Sequence, residues 1–334
     1  MQAGKLPLDL LTRLLDKIEV RDPRVVLGPR PGEDAALIDM GDRYLVAKTD
    51  PITFATDLIG WYLVQVNSND LAVMGATPRW LMATLLLPEG TSAEVAESIF
   101  DQILDACGAL DITLVGGHTE VTYDLPRAIA VGALLGEVAK DKAVFSSGAR
   151  LGDSIVLTKG IAVEGTSLLA REAAKALVAA GVNRDTVERA KDMLFSPGIS
   201  VVRDADVACR TVDVHAMHDP TEGGLATGLL ELARAANLGL TVDAAAIPIL
   251  PECEEVCAAL DLDPMGLIAS GALLNAVAPG EAARLIDAMA QEGIDAYEIG
   301  HFTPAEDGLR LRTADCVREL PTFERDELAR YFGE

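Results

Sequence analysis

The chain has 334 residues, half of them hydrophobic, and a formal net charge of −24. This length suits two domains better than one, and the composition is that of a packed globular protein rather than a disordered or fibrous one. The acidic charge repels a phosphate backbone, so we expect no nucleic acid partner. A nucleotide would have to bind together with a divalent metal or at local positive dipoles.

The first twenty residues predict an amphipathic helix. Leucines and Ile18 share one helical face, while Asp9, Arg13 and Asp16 interrupt any continuous apolar run. The segment therefore lacks the apolar centre of a signal peptide, and no stretch approaches the ~20 apolar residues of a membrane span. The five cysteines form no disulfide framework and favour free thiols in a reducing compartment. We expect a soluble, cytoplasmic protein with no membrane partner.

The N-terminal half predicts a β-hairpin followed by helices and strands. Gly41 and Asp42 separate two apolar runs, 35–40 and 44–47, which is typical of a hairpin. We further expect helices over 57–74 and 92–110, and strands over 80–87, 111–117 and 127–138. The glycine pair at 116–117 is interpreted as a turn that follows its strand.

Small residues and a Gly-Asp turn near residue 150 predict a domain boundary, with an N-terminal domain over 1–150 and a C-terminal domain over 151–334. Beyond it we expect strands near 154–158, 212–217, 272–278 and 296–300. Helices are expected near 164–180, 186–194, 199–209, 223–236, 252–260 and 281–292. Strands and helices alternate irregularly, which favours an α+β fold over a doubly wound sheet.

The common nucleotide and hydrolase signatures are missing from the sequence. The stretch GIAVEGTS, 160–167, has the glycine spacing of a P-loop, but Thr166 stands where that loop requires lysine. A strand-to-helix turn is the preferred interpretation of this stretch. No dinucleotide-binding glycine motif, nucleophile elbow or zinc-protease motif occurs.

Polar residues recur where strands meet loops, and each has a plain structural explanation when taken singly. Asp34 and Asp50 could form turns, Asn67 could lie on a polar helix face, and Asp219 could precede a helix with Pro220 in its first position. Together they are the hard oxygen ligands that Mg²⁺ prefers, usually beside nucleotide phosphates. The full set is Glu33, Asp34, Asp50, Asn67, Asp70, His118, Glu120, His218, Asp219 and Glu222. Nearby glycine pairs at 116–117 and 223–224 would let backbone N–H groups approach an anion.

Six motifs in this order resemble those of the aminoimidazole ribonucleotide synthetase-like superfamily. They are GEDAA, KTDP, NDLAVMGATP, GGHTE, HDPTEGGLATGL and DLDPMGLIASGALL. The superfamily includes the purine-pathway synthetase, selenophosphate synthetase, thiamine-phosphate kinase and the hydrogenase-maturation factor HypE. The resemblance covers roughly residues 25–310, and the last three motifs look most like the hydrogenase-maturation branch.

The resemblance implies a two-domain α+β fold that forms a homodimer through its N-terminal halves, with strands of both subunits in a central barrel. It also implies ATP bound with Mg²⁺, or Mn²⁺, and phosphorylation of an oxygen on a small-molecule substrate. Matching positions assign metal binding to Asp34, Asp50, Asp70 and Glu120. They assign nucleotide binding to Gly32, Asn67, Asn69, Gly116, Gly117 and Thr119. They assign catalysis to His218, Asp219 and His118.

Three departures from the family pattern qualify this resemblance. Glu33 replaces a common aspartate, and His118 stands where the hydrogenase and thiamine branches typically carry aspartate. Imidazole is a poor magnesium ligand, so either Glu120 takes over, the metal changes, or His118 only supports the Gly116–Gly117 turn by a hydrogen bond. The hydrogenase factor ends in a Pro-Arg-Ile-Cys tail, whereas this sequence ends ERDELARYFGE and its last cysteine is Cys316.

The sequence therefore predicts an ATP-dependent enzyme that activates a substrate oxygen by phosphorylation and resembles the hydrogenase factor without its acceptor cysteine. Two alternatives stay open. One is a non-catalytic ATP-binding partner in a maturation or biosynthetic complex. The other is a small-molecule kinase of the thiamine-phosphate type, although HDPTEGG replaces the Ser-Asp-Gly sequence usual in such kinases.

Overall fold

The computed structural model describes Leu6 and residues 8–30, 33–53, 55 and 57–333. The chain forms two compact units, and each is described by itself. The N-terminal unit comprises Val20–Pro29 and Asp34–Ala143. The C-terminal unit comprises the described residues from Val144 onward, with those before Val20 and with Arg30 and Glu33. The roles predicted for the two halves stay predictions.

A six-stranded sheet forms the body of the N-terminal unit. Its strands are β1 (Val25–Leu27), β2 (Ala36–Asp39), β3 (Arg43–Ile52), β4 (Thr77–Pro88), β5 (Thr113–Thr122) and β6 (Ile129–Ala139), in the spatial order β1-β2-β3-β6-β4-β5. All neighbours are antiparallel except β4 and β5, which are parallel. β6 alternates buried and partly exposed positions along its length, as a strand with one covered face does.

Two helices belong to this unit, α2 (Ile59–Ala72) and α3 (Ala93–Ala109). α2 packs against β3, β4 and β6 on one side and against α3 on the other. Nearly all of its side chains are therefore buried, including a polar run from Asn67 to Asp70. α3 buries only the stripe formed by Ile99, Ile103 and Ala106, together with Cys107, so it forms the outer layer.

A seven-stranded sheet forms the body of the C-terminal unit. Its strands are β7 (Ser154–Thr158), β8 (Val214–His218), β9 (Gly239–Asp243), β10 (Leu274–Val277), β11 (Ala296–Thr303), β12 (Leu309–Arg312) and β13 (Val317–Glu319), in the order β13-β12-β9-β11-β7-β10-β8. The unit also contains α1 (Leu8–Leu15), α4 (Val163–Glu172), α5 (Ala174–Ala179), α6 (Arg184–Asp192), α7 (Val202–Thr211), α8 (Gly224–Ala236), α9 (Pro251–Leu260), α10 (Ala282–Gln291) and α11 (Glu327–Gly333). Leu229 and Leu232 of α8 pack with Ile155, Leu157 and Phe302 of the sheet in a fully buried core.

The fold confirms the hairpin, which is β2 and β3, and most of the expected helices and strands. The expected helix over 164–180 is divided at Ala173 into α4 and α5. β1, β9, β12, β13 and α11 were not predicted, because each is short and carries little periodic signal. Among the described residues, the helices are all too short or too polar to span a membrane.

The interpretation of Gly116–Gly117 as a turn is wrong. β5 continues through both glycines to Thr122 and lies at the edge of the sheet. The pairing of β4 with β5 shifts its register at this point, between Leu81 and Met82. In a sequence a glycine pair often indicates a turn, but glycines also permit two strands to approach closely. In this sheet they allow close packing of β5 on β4 and form no turn.

Candidate functional site

The ammonium group of Lys48 connects two of the predicted metal ligands in the N-terminal unit. Its Nζ lies 3.5 Å from Oδ2 of Asp50 and 3.3 Å from Oδ2 of Asp70. Lys48 and Asp50 are two residues apart on β3, so they point from the same face of the strand. Asp70 lies in the last turn of α2, which covers that face, and its side chain is 7% exposed.

Asn67 joins α2 to β3 at the same place. Its Oδ1 accepts a hydrogen bond from the backbone N–H of Asp50 (3.0 Å), and its Nδ2 donates to the carbonyls of Leu63 (2.8 Å) and Asp50 (3.3 Å). Gly132 of β6 pairs with Asp50, and a Cβ at Gly132 would lie 2.5 Å from Nδ2 of Asn67. The glycine thus makes room for the asparagine, whose amide fixes where Asp50 sits.

The donor set suits a hard divalent cation. Asp50 and Asp70 present carboxylate oxygens, which Mg²⁺ prefers, and both already converge on one cationic group. Two carboxylates and one ammonium leave the group with net negative charge, which a metal ion would neutralise. Lys48 is a residue that sequence reasoning missed, although its spacing of two from Asp50 in a predicted strand was a usable signal.

Three further predicted residues, Asn69, Asp34 and Gly32, come from the same motifs. Asn69 is wholly buried within α2, and Asp34 lies just before β2. Gly32 lies outside the described residues. Their predicted roles in nucleotide or metal binding stay predictions.

His118 and Glu120 form a pair on the exposed edge strand β5. The ring Nε2 of His118 lies 3.1 Å from Oε2 of Glu120, and the two side chains are 65% and 49% exposed. This contact replaces the alternative in which His118 supports a glycine turn, since there is no such turn. Thr119, between them, is also exposed.

The pair cannot share a coordination shell with Asp50 within one chain. Asp50 pairs with Gly132, Gly132 with Ala83, and Ala83 with Gly117, so three strand spacings separate Asp50 from the residue next to His118. At about 4.8 Å per spacing, that separation is about 14 Å. Donor atoms on one magnesium ion lie about 2 Å from it and so within about 4–5 Å of each other. Side chains that project from the sheet faces extend along the sheet too little to close a backbone separation of about 14 Å to that distance.

Gly117 is required by strand packing. Its φ is +153°, and a Cβ there would lie 1.9 Å from the carbonyl oxygen of Ala83. A Cβ at Gly116 would meet nothing within 4 Å. The predicted role of both glycines in nucleotide binding stays a prediction. For Gly117, the close approach of Ala83 is an independent reason why the position must be glycine.

His218 and Asp219 lie at the end of β8 in the C-terminal unit, where both are buried. Nε2 of His218 lies 3.1 Å from Oε2 of Glu231, which is about two turns into α8. α8 begins at Gly224, so the alternative of a helix that starts at Asp219-Pro220 is wrong. Residues 219–223 instead form a turn between strand and helix, named here the 219–223 turn.

The glycine pair that ends this turn is fixed by backbone geometry. Gly223 and Gly224 have φ of +82° and +66°, which other residues adopt only with strain. A Cβ at Gly224 would lie 2.5 Å from the carbonyl oxygen of Met265. The turn also bonds to the neighbouring loop, since Ala269 N–H donates to the carbonyl of Thr221 (3.3 Å). The expected approach of these glycines to an anion stays a prediction, and for Gly224 close packing against the backbone of Met265 is a separate reason for glycine.

Sequence reasoning missed two acids beside this turn, the buried Glu164 and the partly buried Asp326. Glu164, in the first turn of α4, is 6% exposed, and burial raises its pKa to about 7, with further raising by the carboxylates of Asp326 and Glu222. A hydrogen bond with Ser270 opposes this shift. Burial likewise raises the pKa of Asp326 to about 6.

Glu164 belongs to the stretch that has the glycine spacing of a P-loop. The stretch connects β7 to α4, as the preferred interpretation predicted. The signal for Glu164 was a single carboxyl inside an otherwise apolar run, because such a group is seldom buried without a function or a partner.

Comparison with known proteins assigns the two halves of the chain to one family. The model of the AIR synthase related protein N-terminal domain matches residues 32–138, and that of the C-terminal domain matches residues 150–311. A Methanocaldococcus jannaschii protein named for hydrogenase expression and formation is 30% identical, over 93% of this chain and 91% of its own length.

Other relatives are enzymes. Carbamoyl dehydratase HypE of Rhodobacter capsulatus is 31% identical, over 84% of this chain and 82% of its own. Selenide, water dikinase of Nitratidesulfovibrio vulgaris strain Hildenborough is 30% identical, over 82% and 75% respectively. Among solved structures, HypE of Escherichia coli superposes with a TM-score of 0.76 at 22% identity, covering 97% of this chain and 98% of that one, which shows a common fold.

Proposed function

Because the chain belongs to the AIR synthase related protein family, we propose that it is an ATP- and Mg²⁺-dependent enzyme that activates an oxygen of a small substrate by phosphorylation. Relatives with 30–31% identity over most of both chains carry the names carbamoyl dehydratase and selenide, water dikinase. The family therefore supports ATP-driven chemistry, and the identity of the substrate is the part specific to this chain.

The observation that carries the proposal is the convergence of Lys48, Asp50 and Asp70. Asp50 and Asp70 would hold the magnesium ion, which neutralises phosphate charge when bound. Lys48 would contact a phosphate oxygen. Its ammonium group lies between two carboxylates, and when one of them binds the metal ion a phosphate oxygen can take that place beside Nζ. Asn67 contributes by fixing the backbone of Asp50, as its three hydrogen bonds indicate.

Residues of the C-terminal unit would serve the substrate. His218 and Asp219 are the proposed contacts to the transferring phosphoryl group or the acceptor oxygen. Oε2 of Glu231 lies 3.1 Å from Nε2 of His218, a contact that fixes how the imidazole ring is turned. The role proposed for Glu231 is to orient that ring toward the substrate.

We also propose that the protein works as a homodimer through its N-terminal units. β5 is an edge strand, and most of its side chains are exposed, including Val115 (52%) and Val121 (58%), with Tyr123 (83%) just beyond it. An apolar, unpaired strand edge favours pairing with another chain. In a dimer, His118 and Glu120 would lie at or near the contact between subunits and could serve the partner's site.

The test is a screen for ATP turnover. The full chain would be incubated with Mg·ATP and mixtures of small amides, carboxylates and oxyanions, and products would be identified by mass spectrometry. Substrate-dependent formation of ADP or AMP is expected, and it should be lost in Asp70→Asn but retained in Asp105→Asn, an exposed aspartate on α3. ATP binding without turnover in any mixture would instead support a non-catalytic partner. A stable phosphorylated product would indicate a kinase.

A further inference from the structure

The segment from Leu320 to Gly333 packs on the part of the C-terminal unit that contains the 219–223 turn. Leu320, Leu328 and Ala329 are buried. The ring of Phe323 covers Gly266, where a Cβ would lie only 2.4 Å from a ring carbon. The backbone N–H of Asp263 donates to Oε2 of Glu327 (3.1 Å), which joins α11 to the loop before Gly266.

One carboxylate of this segment bonds to the starts of two helices. Oδ1 of Asp326 accepts a hydrogen bond from the N–H of Leu328 (2.7 Å), in the first turn of its own helix, α11. Oδ2 accepts from the N–H of Gly223 (2.6 Å), the residue that precedes α8. Gly223 is the N-cap residue of α8, and the carboxylate that accepts from its own N–H lies 103 positions away in the chain.

The environment of Asp326 is acidic. The charged groups that face the Glu164 carboxyl are Asp326 and Glu222, and Glu222 also acts on Asp326. Oε2 of Glu164 has no hydrogen-bond partner among the described residues, and its other polar contact is Ser270. Holding Asp326 in this place therefore costs free energy, and hydrogen bonds with the backbone of Gly223, Leu328 and Ile268 offset part of that cost.

The contact of Asp326 with Gly223 is made despite this cost, and its structural effect is on the 219–223 turn. Other contacts also hold the 219–223 turn: the carbonyl of Thr221 accepts hydrogen bonds from the N–H groups of Gly224 (3.0 Å) and Ala269 (3.3 Å), and the two glycines are left-handed. We propose that Asp326 is a positioning residue, whose carboxylate holds the 219–223 turn and the start of α8 in the conformation that places His218 and Asp219. The conformation that Asp326 holds is a property of the fold, and only the consequence for catalysis rests on the proposed function.

The first measurement is NMR of the full chain labelled with ¹⁵N-glycine. The amide proton of Gly223 should titrate with a midpoint near pH 6, the value to which burial raises the pKa of Asp326. Asp326→Asn should abolish that titration. Glu324→Gln, an exposed neighbour in the same segment, should leave it in place. Persistence of the titration in Asp326→Asn would overturn the assignment.

The second measurement is amide hydrogen exchange followed by mass spectrometry. Asp326→Ala should accelerate exchange in residues 219–228 at least tenfold and leave β9 unchanged. Equal exchange in wild type and variant would overturn the proposal. If Asp326→Ala does not fold, Asp326→Asn and Asp326→Glu are compared instead, and Glu is expected to restore protection in part. Neither readout uses ATP, so failure of this inference and failure of the proposed enzyme activity are distinguishable.

Discussion

Lys48 on β3 reaches the buried carboxylate of Asp70 on α2, with Nζ 3.3 Å from Oδ2. This ion pair joins the strand and helix that carry most of the candidate site. Asp70 is buried in a helix that is itself covered on both sides, so the ion pair stabilises the fold in addition to its proposed role in ligand binding.

Lys48→Met should lower the free energy of unfolding by about 1–3 kcal/mol, because it leaves a buried carboxylate without its ammonium partner. The double variant Lys48→Met/Asp70→Asn should lose less than the sum of the single variants. Arg43→Met, on the same strand but in an exposed ion pair, is the control and should change little. Urea denaturation compares wild type with the two single variants, the double variant and the control. Strict additivity of the two changes would contradict the pairing.

Asp70→Asn should weaken binding of Mg·ATP about tenfold or more, since a charged hydrogen-bonding group is worth about 1.5–3 kcal/mol. Titration calorimetry with and without Mg²⁺ measures this effect. Wild-type binding should depend on the metal, and Asp105→Asn should bind as wild type does. Tight binding of ATP without metal, or unchanged affinity in Asp70→Asn, would remove Asp70 from the proposed site.

Gly117→Ala should destabilise the protein by roughly 2–4 kcal/mol, because the new Cβ collides with the backbone of Ala83 and the residue keeps a positive φ. Gly116→Ala should be tolerated, since a Cβ there meets nothing within 4 Å. Thermal denaturation compares the two variants. Equal stability would show that the close approach of β4 and β5 relaxes at little cost.

The free energy of unfolding of Glu164→Gln, relative to that of wild type, should increase as pH rises. The folded state binds the Glu164 proton more tightly than the unfolded state does, because the pKa rises from 4.5 to about 7. Wild type therefore loses stability as pH increases from about 4.5 to 7, by about 3 kcal/mol at 1.36 kcal/mol per pKa unit. The advantage of Glu164→Gln should grow by about 2–3 kcal/mol between pH 5 and pH 8.

Urea denaturation at several pH values provides that comparison. Glu254→Gln, an exposed carboxyl on α9, serves as the matched control and should show no such growth. A difference between Glu164→Gln and wild type that is independent of pH would mean that Glu164 is ionised to the same extent in folded and unfolded chains.

His118→Asp should increase the preference for Mg²⁺ over Mn²⁺ in ATP turnover, since it replaces an imidazole, which suits softer ions, with a carboxylate. His301→Asp, an exposed histidine of β11, is the control and should not change metal preference. The activation curves for the two metals give the result. If His118→Asp and wild type prefer the metals equally, His118 has no role as a ligand.

Some features of this protein follow from local patterns in its sequence. Gly41-Asp42 between two apolar runs predicted the hairpin of β2 and β3, because a turn signal and period-two alternation both act over a few residues. The run from 57 to 74 predicted α2 for a similar reason. The motifs also predicted the family, which the match over 32–138 and 150–311 confirms.

The tertiary structure decided which side chains meet. Lys48 and Asp50 are two residues apart in the sequence, but Asp70 follows twenty residues after Asp50, and only the packing of α2 on β3 brings both carboxylates to one ammonium group. The order β3-β6-β4-β5 separates His118 from Asp50, although the motifs placed them in one set. Asp326 and Gly223 lie 103 positions apart, and no local pattern reports such a contact. Periodicity and turn chemistry act over a few residues, whereas a site forms from the packing and strand order that the whole chain specifies.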